Sequence, residues 1–136
     1  MYTHTITPRM GDCDGLRHIN NTKIAEYFEQ ARNPIFRLFS PELDFEHFDL
    51  IMAHLEVDFL HAMQWGMEVE VRTFITHVGN SSFRVSQQAW QDGRQCARGH
   101  VVIVHYVHAE GHSQPLTPEQ KHWLQQHYVP LEEFEA

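Results

Sequence analysis

Asn20-Asn21-Thr22-Lys23-Ile24-Ala25-Glu26-Tyr27-Phe28-Glu29-Gln30-Ala31-Arg32-Asn33-Pro34-Ile35-Phe36-Arg37-Leu38-Phe39 is written with a helical period. Ile24, Tyr27, Phe28, Ala31, Ile35, Leu38 and Phe39 recur at three- and four-residue spacing, with Lys23, Glu26, Gln30 and Arg37 between them. That spacing lines the apolar side chains along one stripe of a helix. Asn20 or Asn21 suits the N-cap, because a short amide side chain accepts from the open N–H groups of the first turn. Pro34 interrupts the pattern. It has no N–H to donate and disfavours helix at Asn33, so the helix kinks there or breaks and restarts; a proline inside an unbroken helix costs about 3 kcal/mol. Ser40-Pro41 ends the element.

Upstream, Tyr2–Pro8 alternates weakly and reads as a first strand. A loop from Arg9 to Asn20 follows, holding the turn-prone Gly11, Asp12, Asp14 and Gly15. Downstream the period drops to two. Ile51, Ala53, Leu55, Val57 and Phe59 alternate with Met52, His54, Glu56 and Asp58, and Met67, Val69, Val71, Thr73 and Ile75 alternate with Glu68, Glu70 and Arg72. Ser82–Gln91 comes after a Gly79-Asn80 turn, and Asp92-Gly93, both tolerant of positive φ, links it by a hairpin to the β-branched Arg94–His108. Glu110-Gly111 turns again. Thr117–Tyr128 reads as a short helix, with Thr117 as N-cap, Pro118 at the first helical position and Gln120 reaching back to the cap.

Consecutive strands joined by tight turns give an antiparallel sheet of about five strands. One long helix interrupts it after the first strand, and the simplest way to bury that helix is to wrap the sheet around it. The class is therefore α+β. A length of 136 residues fits one domain, residues 1–136.

Composition removes several functions. Hydrophobic residues make up 42%, enough for a core and too many for a disordered chain. A formal net charge of −8 argues against a nucleic-acid partner, whose phosphates demand a basic surface. No apolar run approaches the roughly 18 residues of a membrane span. Met1–Met10 has no apolar signal region, so a cytoplasmic protein is expected. Cys13 and Cys96 form neither a CxxC pair nor a zinc spacing and read as free thiols. Twelve histidines raise the question of a metal. Yet His100, His105 and His108, on one expected strand, are spaced so that they face different sides, and no HExxH occurs. Histidines on solvent-facing positions, no metal and no cofactor are the expectation.

Gly11-Asp12-Cys13-Asp14-Gly15-Leu16-Arg17-His18-Ile19-Asn20-Asn21, followed by Glu29-Gln30-Ala31-Arg32, resembles the signature of 4-hydroxybenzoyl-CoA thioesterase-like proteins. In that family an Asp-x-Asp loop leads to His-hydrophobic-Asn-Asn and a helix ending in an acidic residue, x, Ala-Arg. Val57-Asp58-Phe59-Leu60 before Gly66, Val78-Gly79-Asn80-Ser81-Ser82-Phe83 and Gln114-Pro115-Leu116-Thr117-Pro118 extend the resemblance over nearly the whole chain. It departs at Ile24, where many relatives have Tyr, and at Ala62, where Pro is usual. The resemblance implies a hotdog fold, with the sheet wrapped around one long central helix. It also implies an acyl-CoA substrate, assembly as a homodimer or homotetramer, and sites at the dimer interface.

The resemblance marks Asp14 as the catalytic carboxylate of an acyl-CoA thioesterase. Thioester hydrolysis needs a nucleophile and help for the oxyanion. A carboxylate can attack the carbonyl or deprotonate a water, and Asp14 fits either role. Backbone donors near Ile19–Asn21, at the start of the helix, would polarise the carbonyl. His18, Asn20, Asn21 and Ser82 are the substrate-binding candidates. Each also has a plainer reading: His18 orients the loop, Asn20 and Asn21 cap the helix, and Ser82 belongs to a hairpin turn, as does Ser81. Asp12 reads as an Asx-turn residue, and Glu29 with Arg32 as a structural pair. The alternative function is a non-catalytic hotdog protein that binds acyl-CoA or a partner chain.

Overall fold

The structure, a computed structural model, describes the backbone of residues 1–136 and every side chain except that of His47. Its elements are β1 (Tyr2–Ile6), α1 (Asn21–Ala31), α2 (Asn33–Phe39), β2 (Leu50–Phe59), β3 (Val69–Val78), β4 (Ser82–Gln91), β5 (Arg94–Val107), β6 (His112–Ser113), α3 (Pro118–Gln125) and α4 (Leu131–Glu135). Single 3-10 turns occur at Met10–Asp12 and Phe45–His47. The strands run in the order β1-β3-β4-β5-β2, all pairs antiparallel, with β6 on the end of β5. This is the curled sheet with a helix against its inner face that the sequence implied.

The helix breaks at Pro34 and does not kink. α1 ends at Ala31, Arg32 keeps α-region angles (φ −81°, ψ −12°), and α2 restarts with Pro34 in its first turn. There the missing N–H is one that has no intrahelical acceptor in any case. The two segments divide the inner face of the sheet. Ile24, Tyr27, Phe28 and Ala31 of α1 are buried with Val69, Val71, Ala89 and Ala97, and Ile35 of α2 with Ile75, Phe83, Val85 and Val101. Fully burying one such Phe or Ile contributes about 1.5–3 kcal/mol. Phe28 comes so close to the sheet that a Cβ on Gly99 of β5 would stand 3.0 Å from its ring.

On the outer face lies α4, a short helix that the sequence reading did not anticipate. Phe134 packs edge-on against Phe74 and His100, and its carbonyl accepts from Gln88 Nε2 at 3.2 Å.

Several boundaries shift from the expectation. β1 stops at Ile6, β3 begins at Val69, β5 ends at Val107 and α3 spans Pro118–Gln125. The alternation expected along β2 fails: the register slips between Met52 and His54, and most of its side chains on both faces are exposed. Its position explains this, since β2 is the last strand in the order and pairs only with β5. Not all the histidines face solvent either. His100 and His105 are 7% and 8% exposed, the first bonded to Ser86 and the second to the Gln114 and Pro115 carbonyls.

Candidate active site

The loop between β1 and α1 is a miniature hairpin. Cys13 bridges Ile19, the Asp14 amide donates to the His18 carbonyl at 2.9 Å, and the Arg17 amide donates to the Asp14 carbonyl at 3.1 Å. Arg17 takes the left-handed conformation (φ 66°) that the reversal requires. At the neck, the Asn20 amide donates to the Asp12 carbonyl at 2.9 Å. Asn20 is then the N-cap of α1, its side-chain oxygen accepting from the Thr22 amide at 2.9 Å, and Asn21 is the first helical residue.

Asp14 lies exposed at the turn of this hairpin, with Oδ1 accepting from the Leu16 amide at 2.9 Å. That is the Asx turn, so the Asx role expected of Asp12 belongs to Asp14. It fixes one carboxylate oxygen and leaves Oδ2 for chemistry. Asp14 lines a cavity of about 620 Å³ with Met10, Cys13, Arg17, Gln64 and Trp65. The opposite wall comes from the loop between β2 and β3. Gln91 of β4 holds that wall: its Oε1 accepts from the Gln64 amide at 2.8 Å, and its Nε2 donates to the Gln64 and Met67 carbonyls at 2.8 and 3.1 Å. The Ile19 amide donates to the Met63 carbonyl, tying the two loops together.

Asp12 is 3% exposed. Its Oδ2 accepts from the Tyr27 hydroxyl at 2.6 Å and from the Arg9 amide at 3.1 Å, and the Arg9 guanidinium lies 3.5 Å from Oδ1. Burial by itself opposes ionisation of this carboxyl. The two hydrogen bonds and the charges of Arg9 and Lys23 outweigh it, so Asp12 titrates below its ordinary value. Burial first, and then the Asp12 carboxylate, push the Tyr27 hydroxyl far above the usual tyrosine range.

Around Asp14, then, the structure gathers Met10, Cys13, Arg17, Gln64 and Trp65, none of which the sequence singled out for the site. It does not gather the substrate-binding candidates there. The His18 carbonyl, not its ring, meets Asp14; Asn20 and Asn21 serve the helix start; none of the three lines the cavity. Ser82 begins β4, at the far end of that strand from Gln91, which is about 30 Å at roughly 3.3 Å per residue. Of the expected backbone donors, the Ile19 and Asn20 amides are already bonded, which leaves Asn21 at the head of the helix. Glu29 and Arg32 are no close pair. Arg32 turns inward and donates to Gln87 Oε1 at 3.1 Å, while burial lowers its pKa and the Glu29 charge works the other way.

A second polar cluster lies on the outer face. Arg84 Nε donates to Thr76 Oγ1 (2.9 Å), Thr76 Oγ1 meets Ser86 Oγ (2.7 Å), and Ser86 Oγ meets His100 Nδ1 (2.7 Å). Glu135 Oε1 of α4 stands 3.7 Å from His100 Nε2. Burial lowers the His100 pKa, against the charges of Glu56 and Glu135 and together with those of Arg84 and Arg98. Among the described residues, no group of three or more His, Cys, Asp or Glu has the arrangement of a metal site, and no helix is long and apolar enough to cross a membrane.

Residues 8–124 match the model of the thioesterase-like superfamily. Among solved structures, a predicted thioesterase from Bacillus stearothermophilus is 35% identical over 95% of this chain and 97% of its own, with a TM-score of 0.92. A Thermus thermophilus thioesterase, complexed with coenzyme A and Zn, is 29% identical over 90% of this chain and 96% of its own, with a TM-score of 0.80. A 1,4-dihydroxy-2-naphthoyl-CoA thioesterase from Synechocystis shares the fold at 19% identity, over 91% of this chain and 95% of its own, with a TM-score of 0.77. No curated protein sequence matches significantly.

Proposed function

The chain belongs to the thioesterase-like superfamily, and from that premise we propose that it hydrolyses acyl- or aroyl-CoA thioesters with Asp14 as the reacting carboxylate. The observation that carries the reading is Asp14 itself, pinned through Oδ1 by the Leu16 amide on the wall of a roughly 620 Å³ cavity. As a nucleophile, Asp14 would form a mixed anhydride with the acyl group and expel the coenzyme A thiolate, and water would then release the acid. As a general base, it would take a proton from a water that attacks the carbonyl directly. In either case the charge that develops on the carbonyl oxygen needs a donor; of the amides expected for this at the start of α1, that of Asn21 is the one not already bonded, although Asn21 does not line the cavity.

A homodimer or larger assembly is part of this reading. β2 leaves one edge unpaired and exposes Ile51, Met52, Leu55 and Phe59 at 37–49%. Such an edge invites a second strand. Within one chain Ser82 is remote from Asp14, so it can take part in substrate binding only from a second copy. A cytoplasmic setting is consistent with both cysteines being free.

The test is a panel of aliphatic and aromatic acyl-CoA thioesters, with release of free thiol as the readout and the mass of the active species taken by light scattering. Turnover of at least one thioester by a species heavier than one chain is expected. Tight binding of coenzyme A esters with no thiol release would point to the non-catalytic alternative. An active species with the mass of one chain would remove the oligomer.

A further inference from the structure

We propose that Asp12 and Tyr27 form a positioning pair that holds the Asp14 loop in its reactive geometry; the proposal rests on the reading of Asp14 as the reacting carboxylate. Residues 13–19 make an excursion from the body of the protein, and Asp14 rides on it. The neck of the excursion is residues 12 and 20, joined by the Asn20 amide and the Asp12 carbonyl at 2.9 Å. The backbone of Asp12 thus closes the neck, while its carboxylate, 3% exposed, faces the interior. There it accepts from the Arg9 amide, at the chain's entry to the loop, and from the Tyr27 hydroxyl at 2.6 Å.

Tyr27 lies in α1, itself 5% exposed and part of the core that joins the helix to the sheet. Asp12 therefore links three parts: its carboxylate joins the chain entering the loop to the buried face of the helix, and its backbone carbonyl holds the start of the helix. The base of the excursion is also held at Ile19 and Cys13, which pack into the core, and by the Ile19 amide on the Met63 carbonyl; the turn that carries Asp14 is held by the backbone bonds at Asp14, Arg17 and His18, the bridge of His18 to Gln64 and the Asx bond.

The pair does not line the Asp14 cavity, and neither residue meets Oδ1 or Oδ2 of Asp14. Its effect has to pass through the loop backbone. The far wall, Gln64 and Trp65, is tied to the loop at Ile19–Met63 and His18–Gln64, but Gln91 of β4 holds it from the other side and keeps that hold when the neck loosens. Loosening the neck should therefore disturb the placement of the carboxylate more than the capture of substrate. Displacements of about 1 Å in a reacting group can cost on the order of 100-fold in rate.

The experiment compares wild type, Tyr27→Phe, Asp14→Asn and the double variant, with kcat and KM on one good acyl-CoA substrate and thermal midpoints for all four. Tyr27→Phe keeps the ring in the core and removes only the hydroxyl. It should lower kcat about 10- to 100-fold with KM changed by less than about threefold. In the Asp14→Asn background the same change should cost nothing further, because residues acting as one unit are not additive. Asp12→Asn keeps an acceptor for Tyr27 and serves if Tyr27→Phe folds poorly; it should show the same split with a smaller loss.

Near-wild-type kcat in both variants, or a loss that multiplies with that of Asp14→Asn, would overturn the pair. A lower thermal midpoint with kcat retained would make it a structural contact only, and would overturn the proposal equally. Full activity in Asp14→Asn would instead bring down the reading of Asp14, and the pair with it.

Discussion

Two polar clusters in this molecule look alike on paper and differ in what surrounds them. On the outer face, Ser86, His100 and Glu135 form a chain of hydroxyl, imidazole and carboxylate, backed by Thr76 and Arg84. At the β1–α1 loop there is one carboxylate, Asp14, on an exposed turn. By residue types the first is the more suggestive of catalysis. It is sealed, however: Ser86 is fully buried and Phe134 of α4 packs against the His100 ring. Asp14 opens onto a cavity of about 620 Å³. Access, rather than the inventory of side chains, is what favours Asp14 as the proposed reacting group over the buried hydrogen-bond network.

The largest expected effect breaks the comparison at Asp14. Asp14→Asn should lower kcat/KM by about 10²- to 10⁴-fold, the contribution of a positioned acid–base or nucleophilic group, while the denaturation midpoint stays near that of wild type. If thioester cleavage survives the change, Asp12 is the next carboxylate to examine.

Ser86→Ala should do the reverse. It leaves His100 Nδ1 and Thr76 Oγ1 without their shared partner, which should cost about 1–3 kcal/mol of stability in urea unfolding. Turnover should be unchanged, and a rate loss out of proportion to the stability loss would mean the sealed cluster takes part in the reaction.

The smallest effect is a difference in pH dependence. Burial depresses the folded pKa of His100 below its unfolded value of about 6.5. Its contribution to stability is therefore complete above about pH 6.5 and is lost as pH falls through the folded value. Asp12 is also depressed in the folded state, from an unfolded value of about 3.9, so its contribution survives until a lower window. Stability curves of wild type and His100→Gln between pH 8 and 5 should converge on the acid side. The variant is needed as a reference because His127, stacked on Tyr2, is depressed in the same direction by burial and by the N-terminal charge. Parallel curves would show that His100 does not titrate differently in the folded and unfolded states.

The sequence made the local features legible. The apolar stripe of α1 and α2, the Thr117–Gln120 capping box and the Asp92-Gly93 turn, with φ of 53° and 73°, all appear in the structure. Each depends on residues a few positions apart, where spacing alone determines geometry. What stayed hidden depends on contacts between distant residues. Alternation along β2 identifies which side chains share a face, but not that the strand would be last in the sheet. His100 and His105 read as surface residues because their partners, Ser86 and the Gln114 and Pro115 carbonyls, lie on other segments. For the site, the resemblance pointed to Asp14, whereas Gln64 and Trp65 reach it from a loop about 50 residues away, with only the Trp65-Gly66 turn (Gly66 φ 96°) as a local hint.

The seating of Phe28 on Gly99 also works as a mechanical index. On the same face of β5, the neighbours two residues to either side are Ala97 and Val101, both buried. A ring shifted along the strand in either direction would have to ride up onto a side chain, so α1 has one stop along the sheet. The Asp14 loop is attached to the front end of that helix, so its chain enters the helix from a fixed point. The helix is thus located on the sheet from its middle, well away from Asp14.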